Sequence, residues 1–139
     1  MRILGLDLGK KTIGVAVSDE AGLTALPVRT IKRTNYRADI EEISRLVAEY
    51  EAGEIVVGLP VKMDGTFGDM AVMVLKFIEK LKEKTELSVR TWDERLSTVA
   101  VTRVLLEGDV SRARRKEVVD KLAAAYILQG YLDSRSRGG

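Results

Sequence analysis

Asp7 is a carboxylate in an unusual setting. It lies inside an apolar run, between Leu6 and Leu8, and Gly9 follows at once. A carboxylate on a central strand of a sheet is costly to bury unless it is paired or binds a cation. The alternative interpretation is an aspartate that caps the turn to Gly9. Asp7 is therefore the first candidate for chemistry.

A second acidic position is the sequence Asp93-Glu94-Arg95 at the end of a predicted strand. Ligands of α/β sheets bind at the carboxyl ends of the parallel strands, which favours a functional role. Glu94 has a competing structural interpretation, because Thr91-x-x-Glu94 before an apolar helical run has the pattern of a capping box. Both interpretations of Glu94 stay open on the residues alone. Arg95 adds a cation that is a candidate contact to nucleic acid.

Asp120 is the third acid, and it lies inside a predicted helix where a capping role is excluded. Positions three, four and seven residues further on are Ala123, Ala124 and Ile127, an apolar face that should pack on the sheet. We expect Asp120 to point toward the strands, and the small alanines to let the helix approach them closely. The alternative is an exposed ion pair with Lys116 or Arg115.

Three acids that converge from two strands and a helix would repel one another unless a divalent cation neutralises them. The chain contains no cysteine and no histidine, which excludes thiolate and imidazole ligands, a cysteine nucleophile and a histidine base. Oxygen ligands alone suit one or two Mg²⁺ or Mn²⁺ ions. Such ions activate water and stabilise the leaving oxygen in phosphodiester hydrolysis.

Clustered cations indicate a polyanionic partner. The final predicted helix begins with basic residues, although cations are disfavoured at a helix N-terminus, and phosphate contacts would offset that cost. Two lysines on the turn after Asp7 are a weaker signal. The candidate contacts to nucleic acid in these two segments are Lys10, Lys11, Arg112, Arg114, Arg115 and Lys116. A solvated basic turn is the alternative.

A loop between a buried strand and a helix is a further candidate, because loops in that position usually contact ligands. Simple turn formation around Asp64 and Gly65 is the alternative. The candidate loop residues are Gly58, Pro60, Met63, Asp64, Gly65 and Thr66.

The elements that must position these residues follow from the hydrophobic periodicity. Short β-rich runs at 3–8, 13–18 and 23–31 predict three strands joined by hairpins, and Pro27 places the third at a sheet edge. Helical spacing at 37–50, closed by Gly53, is followed by an apolar strand at 55–59 that is covered on both faces. The chain continues with a helix capped by Asp69 and a strand at 87–92. Two further helices are predicted at about 97–107 and 112–132. The order predicts an α/β fold with a mixed five-stranded sheet and helices on both faces.

The 139 residues and 45% hydrophobic content fit one globular domain over residues 1–133, followed by a flexible tail at 134–139. The longest run without a charge, Leu122 to Leu132, is shorter than the roughly 20 residues of a membrane span. With an acidic residue interrupting the first apolar run, we expect a cytoplasmic protein without a membrane partner. The residues leave open whether it is a monomer or a homodimer.

Four motifs in order resemble the YqgF family, also called RuvX, from residue 3 to about residue 133. The motifs are Gly5-x-Asp7-x-Gly9 with Ile13-Gly14-Val15-Ala16, Gly58-Leu59-Pro60 with Met63-Asp64-Gly65-Thr66, Asp93-Glu94-Arg95-Leu96-Ser97-Thr98, and Asp120 with Ala123-Ala124 and Ile127-Leu128-Gln129.

This resemblance implies an RNase H-like nuclease domain whose acidic triad falls on Asp7, Glu94 and Asp120. It implies processing of structured RNA, the 5′ end of pre-16S rRNA on a pre-ribosomal particle, with Holliday-junction resolution on branched DNA as the alternative. Thr12 departs from the family, which often has arginine there, so that a phosphate contact would pass to Lys10 or Lys11. Two other classes are a non-catalytic RNA-binding module and one lobe of an actin-like phosphotransferase. The inward Asp120 opposes the first, and the short chain opposes the second.

Overall fold

The computed structural model describes residues 1–62, 64–94 and 112–137, and within the last range the side chains of residues 119–135. Met63, Arg95 and the helix predicted at about 97–107 lie outside these residues. The elements in chain order are β1 (Arg2–Leu8), β2 (Thr12–Ser18), β3 (Ala25–Lys32), α1 (Tyr36–Tyr50), β4 (Ala52–Leu59), α2 (Asp69–Lys84), β5 (Ser88–Asp93) and α3 (Arg112–Arg137).

The five strands form one mixed sheet in the order β3-β2-β1-β4-β5. The first three strands pair antiparallel through short connections, whereas β4 pairs parallel to β1 and to β5. Parallel neighbours need a crossover, and α1 and α2 provide it. The predicted mixed sheet is confirmed, as is the position of β3 at its edge, where Pro27 removes one backbone donor.

Helices cover both faces of the sheet, as predicted. On one face, apolar side chains of α1 and α2, among them Ile43 and Phe77, pack against the strands. On the other face, α3 is the helix among the described residues that packs on the sheet, through residues such as Ala124 and Ile127. Alternate residues of β4 contribute to both cores, which explains its continuous apolar run.

The α3 helix lies very close to the strands. A Cβ atom at Gly5 would stand 2.8 Å from the Cβ of Leu128, and one at Gly14 would overlap the backbone carbonyl oxygen of Asp120. The buried Ala123 and Ala124 on the helix side complete this contact. The predicted close approach is confirmed, and the sheet contributes to it with glycines of its own.

Two predicted helix ends are wrong. Glu51, rather than Gly53, ends α1: it adopts the left-handed conformation with φ 53°, and its N–H bonds the carbonyls of Val47 and Ala48. Gly53 instead lies within β4, where the side chain of Met1 occupies the space of a Cβ atom. Asp69 is the first residue of α2 and Gly68 is its N-cap.

The chain beyond residue 133 also differs from the prediction, because α3 continues to Arg137. Ser134 Oγ donates to the carbonyl of Tyr131 at 2.8 Å, and Arg135 forms an ion pair with Glu54 at 3.3 Å. These contacts hold Ser134 and Arg135 in the helix, whose backbone continues to residue 137. None of the helices described is long and apolar enough to cross a membrane.

Candidate active site

Asp7 lies near the carboxyl end of β1 and is only 5% exposed. Side chains alternate along a strand, and Ile3 of the same strand packs under α3, so Asp7 is on the α3 face of the sheet. Its cross-strand neighbour on β2 is Gly14. The buried carboxylate therefore stands beside a position that carries no side chain.

Asp120 is the helical acid that faces this point. Its backbone carbonyl lies against Gly14, and its Oδ2 accepts a hydrogen bond of 2.5 Å from the Thr12 hydroxyl at the start of β2. The predicted orientation of Asp120 toward the sheet is confirmed. The side chains of Arg115 and Lys116, which the alternative ion pair would use, lie outside those described.

Glu94 follows β5 directly and reaches back over β4. A Cβ atom at Gly58 would stand 2.8 Å from the Glu94 Oε1. The register pairs Leu6 of β1 with Val57 of β4, and one residue further it sets Gly58 beside Asp7. Neighbouring strands are about 4.8 Å apart, so only one strand separates the Asp7 and Glu94 positions.

The two glycines thus flank Asp7 on both sides. Gly14 is the β2 neighbour of Asp7 and contacts the α3 backbone at Asp120, and Gly58, on the strand between β1 and β5, contacts Glu94. All three acids are at the carboxyl end of the parallel strands and on one face. Their roles in catalysis and in metal binding stay predictions, while their common location is a finding.

Asp93 differs from Glu94 in the face it occupies. It pairs with Leu59, which belongs to the core under α1 and α2. Strand alternation therefore places Asp93 on the face opposite to Glu94. The capping-box alternative for Glu94 concerns a helix outside the described residues.

A divalent cation fits the chemistry of this site. The donors are carboxylate oxygens, which Mg²⁺ and Mn²⁺ prefer, and a Cβ atom at Gly58 would take space next to Glu94. No group of three or more acidic side chains in the described part of the chain is already closed into a metal-binding arrangement.

Candidate cations lie at the same end of the sheet. Lys10 and Lys11 are exposed on the turn between β1 and β2. The basic cluster Arg112, Arg114, Arg115 and Lys116 begins α3 and precedes Asp120 by four to eight residues, which is about one to two helical turns. The backbone of this cluster is described, and its contacts to nucleic acid stay predictions, as does the role of Arg95.

The candidate loop after β4 is organised by its own turn. Val61 and Phe67 form an isolated bridge, and Asp64 Oδ1 accepts hydrogen bonds from the N–H and the hydroxyl of Thr66. Gly65 has φ 87°, which favours glycine. These contacts agree with the turn interpretation of Asp64, Gly65 and Thr66. Pro60 opens the loop, and Gly58 is the member that adjoins the acids.

Two residues of the site were missed from the sequence. An isolated glycine in a strand signals a close backbone approach, and this signal would have found Gly14. The sequence marks Thr12 only as a departure from the family, and its bond to Asp120, 108 residues away, has no local signal.

A mixed sheet of this order, with helices on both faces, defines an RNase H-like fold. The chain is similar to Thermus thermophilus RuvC in complex with a Holliday junction substrate, with a TM-score of 0.60 and 15% identity, covering 99% of this chain and 96% of that one. It is also similar to the fowlpox virus Holliday junction resolvase, with a TM-score of 0.54 and 16% identity, covering 96% of this chain and 99% of that one. At these identities the likeness establishes the fold.

The chain belongs to the RuvX family, described as Holliday junction resolvase, which matches residues 1–134. A relative from Desulforamulus reducens is 53% identical over 99% of this chain and 100% of its own length. A relative from Clostridium tetani is 55% identical over 96% of this chain and 97% of its own length. Both carry the provisional name pre-16S rRNA nuclease. The family is thus one of nucleases, which hydrolyse phosphodiester bonds.

Proposed function

We propose that this protein is a metal-dependent nuclease that cleaves structured RNA in the maturation of the 5′ end of 16S rRNA. The observation that carries the proposal is the common location of Asp7, Glu94 and Asp120 around two glycines at one end of the sheet. A protein that only binds RNA has no need of a buried acid at this point. The names of the relatives support RNA as the substrate.

In this proposal Asp7 and Asp120 hold one or two Mg²⁺ or Mn²⁺ ions, with Glu94 across Gly58 as the third ligand or as the base that orients water. When bound, such ions lower the pKa of the attacking water and neutralise charge on the phosphate. Lys10 and Lys11 attract the nucleic acid backbone beside Asp7. The basic start of α3 extends that attraction along the helix that carries Asp120.

Resolution of branched DNA is the second candidate. The family description and the Holliday junction complex of the RuvC neighbour favour it. The proposed active site serves both substrates, since the reacting bond is a phosphodiester in each. What separates them is the shape of the nucleic acid that the cationic surface accepts.

A cleavage assay distinguishes the two. The purified chain is incubated with a structured precursor of the 16S 5′ end or with a four-way DNA junction of similar size, in Mg²⁺, in Mn²⁺ and in EDTA. We expect cleavage of the RNA that depends on metal, and an intact junction. Cleavage of the junction alone would establish the resolvase alternative, and metal-independent cleavage of RNA would contradict the proposed chemistry.

The biological setting belongs to the same proposal. A precursor rRNA is presented on a pre-ribosomal particle in the cytoplasm, which makes that particle the expected partner. Whether the chain acts there as a monomer or as a homodimer can be measured by sedimentation with and without RNA.

A further inference from the structure

Thr12 connects the first hairpin to the last helix. Its hydroxyl donates to Asp120 Oδ2 at 2.5 Å, in the short range of an O–H···O⁻ bond. Thr12 stands two residues before Gly14 on the same strand, so both face α3. The bond therefore lies at the candidate site, beside the point where the backbone of Asp120 contacts the sheet.

The turn that carries Thr12 is held in place from within. The Gly9 N–H donates to the Thr12 carbonyl at 2.8 Å and closes the turn. Arg33 binds the turn twice, since its N–H donates to the Lys11 carbonyl at 2.9 Å and its Nη1 to the Gly9 carbonyl at 3.0 Å. The turn is thus fixed at both of its ends.

Arg33 is itself immobilised. Its Nε contacts the Oδ2 of Asp39, a carboxylate of α1 that is 2% exposed, at 3.3 Å. Its guanidinium also stands 5.7 Å from the ring centroids of Tyr36 and Phe77. Arg33 is thus held by one buried acid and two aromatic rings. Because Arg33 also binds the turn, it fixes the position of Thr12.

We propose that Thr12 is a positioning residue that fixes the carboxylate of Asp120 relative to Asp7. One short bond to Oδ2 sets the rotation of the carboxylate and leaves Oδ1 for a cation. A neutral hydroxyl orients the acid without cancelling its charge. This role rests on the proposed metal-dependent function.

Metal affinity tests the role without any measurement of turnover. Thr12→Val keeps the shape of the side chain and removes the donor, and Thr12→Ser keeps the donor. In calorimetric titration of the full chain with Mn²⁺, we expect Thr12→Val to weaken binding about tenfold, the lower end of what loss of a ligand's hydrogen-bond partner costs. Thr12→Ser should retain the affinity of the wild-type chain, and Thr24→Val, in an exposed turn, is the matched control.

A double-mutant cycle separates positioning from a general effect on stability. In an Asp120→Asn background, Thr12→Val should have no further effect on Mn²⁺ affinity, because the group it orients has lost its charge. Thr12→Ala replaces Thr12→Val in the cycle if the valine lowers the melting temperature.

Wild-type affinity in both Thr12→Val and Thr12→Ala would overturn the positioning role and leave the proposed function intact. A wild-type chain that binds no Mn²⁺ would overturn both.

Discussion

Two acids that lie against the α3 helix or belong to it, Glu54 and Asp120, are held in opposite ways. Glu54 of β4, 6% exposed, accepts hydrogen bonds from Arg90 at 2.7 Å, from Tyr131 at 2.8 Å and from Arg135 at 3.3 Å. The described partner of Asp120 is the neutral hydroxyl of Thr12. One helix therefore contacts an acid that is paired with two arginines and carries an acid whose described partner is a neutral hydroxyl.

The difference distinguishes an acid that arginines hold within the fold from one that we propose to be available to a ligand. Two arginines compensate the burial of Glu54, and burial together with the bond to Glu54 raises the pKa of Tyr131. Among the described residues, no cation compensates the half-buried carboxylate of Asp120, whose partner is a neutral hydroxyl. The comparison predicts that replacing an acid of the candidate site by its amide lowers activity and spares stability. Replacing Glu54 by glutamine should do the reverse.

The largest effect should come from Asp7→Asn. We expect the loss of metal-dependent nuclease activity by at least about a thousandfold, because a charge that holds the cation is removed. The melting temperature should stay equal or rise, because repulsion among the acids is relieved. Activity and thermal unfolding measured on the same preparation check this, and full activity in the purified variant would disprove the metal mechanism.

Glu94 and Asp93 form a matched pair for the second test. Glu94→Gln keeps the hydrogen-bonding oxygen and removes the charge, so we expect turnover to fall by about two orders of magnitude or more with little change in stability. Asp93→Asn should be tolerated, because Asp93 is on the other face of the sheet. Single-turnover rates of both variants test this prediction. A loss of activity in Asp93→Asn but not in Glu94→Gln would mean that Asp93 is the functional residue of the pair.

The basic start of α3 should have a smaller effect, on binding alone. Replacing Arg114, Arg115 and Lys116 by alanine should weaken nucleic acid binding uniformly across sequences and lower the salt slope by about one unit for each phosphate that is no longer neutralised. Filter binding at several salt concentrations measures both. An unchanged slope would show that these cations form only a solvated face.

Glu54→Gln should affect stability and leave activity unchanged. The substitution removes the charge that two arginines share, and we expect about 1.5–3 kcal/mol of unfolding free energy to be lost, the range for a hydrogen bond to a charged group. Denaturant unfolding and the cleavage rate, measured side by side, test this contrast with Asp7→Asn. If Glu54→Gln lost activity and kept its full stability, the assignment of Glu54 to the fold rather than to the site would be wrong.

Much of the fold could be predicted because its signals are local. The change of hydrophobic period after residue 32 separates strands from helices, and short connections indicate antiparallel neighbours. The same reasoning placed Asp120 on the sheet side of α3, since Ala123, Ala124 and Ile127 share its face. The grouping of the acids then followed from the rule that parallel strands end at one edge.

The features that could not be predicted depend on contacts between distant residues or on unusual conformations. No local pattern connects Thr12 with Asp120, or Glu54 with Arg135, because these pairs meet only in the folded chain. The left-handed Glu51 takes a conformation for which glycine is favoured, so that Gly53 was the natural but wrong choice. The last turn of α3 is held by the Glu54 ion pair, which sequence periodicity does not report.

The bond between Thr12 and Asp120 joins residues that are synthesised at opposite ends of translation. During synthesis, a chain that has been made only as far as β5 already contains Asp7, but the helix that supplies Asp120 does not yet exist. The strand face formed by residues such as Ile3 and Val56 is still uncovered at that moment. The order of translation thus delays the contact between Thr12 and Asp120 until the final helix has packed on this face.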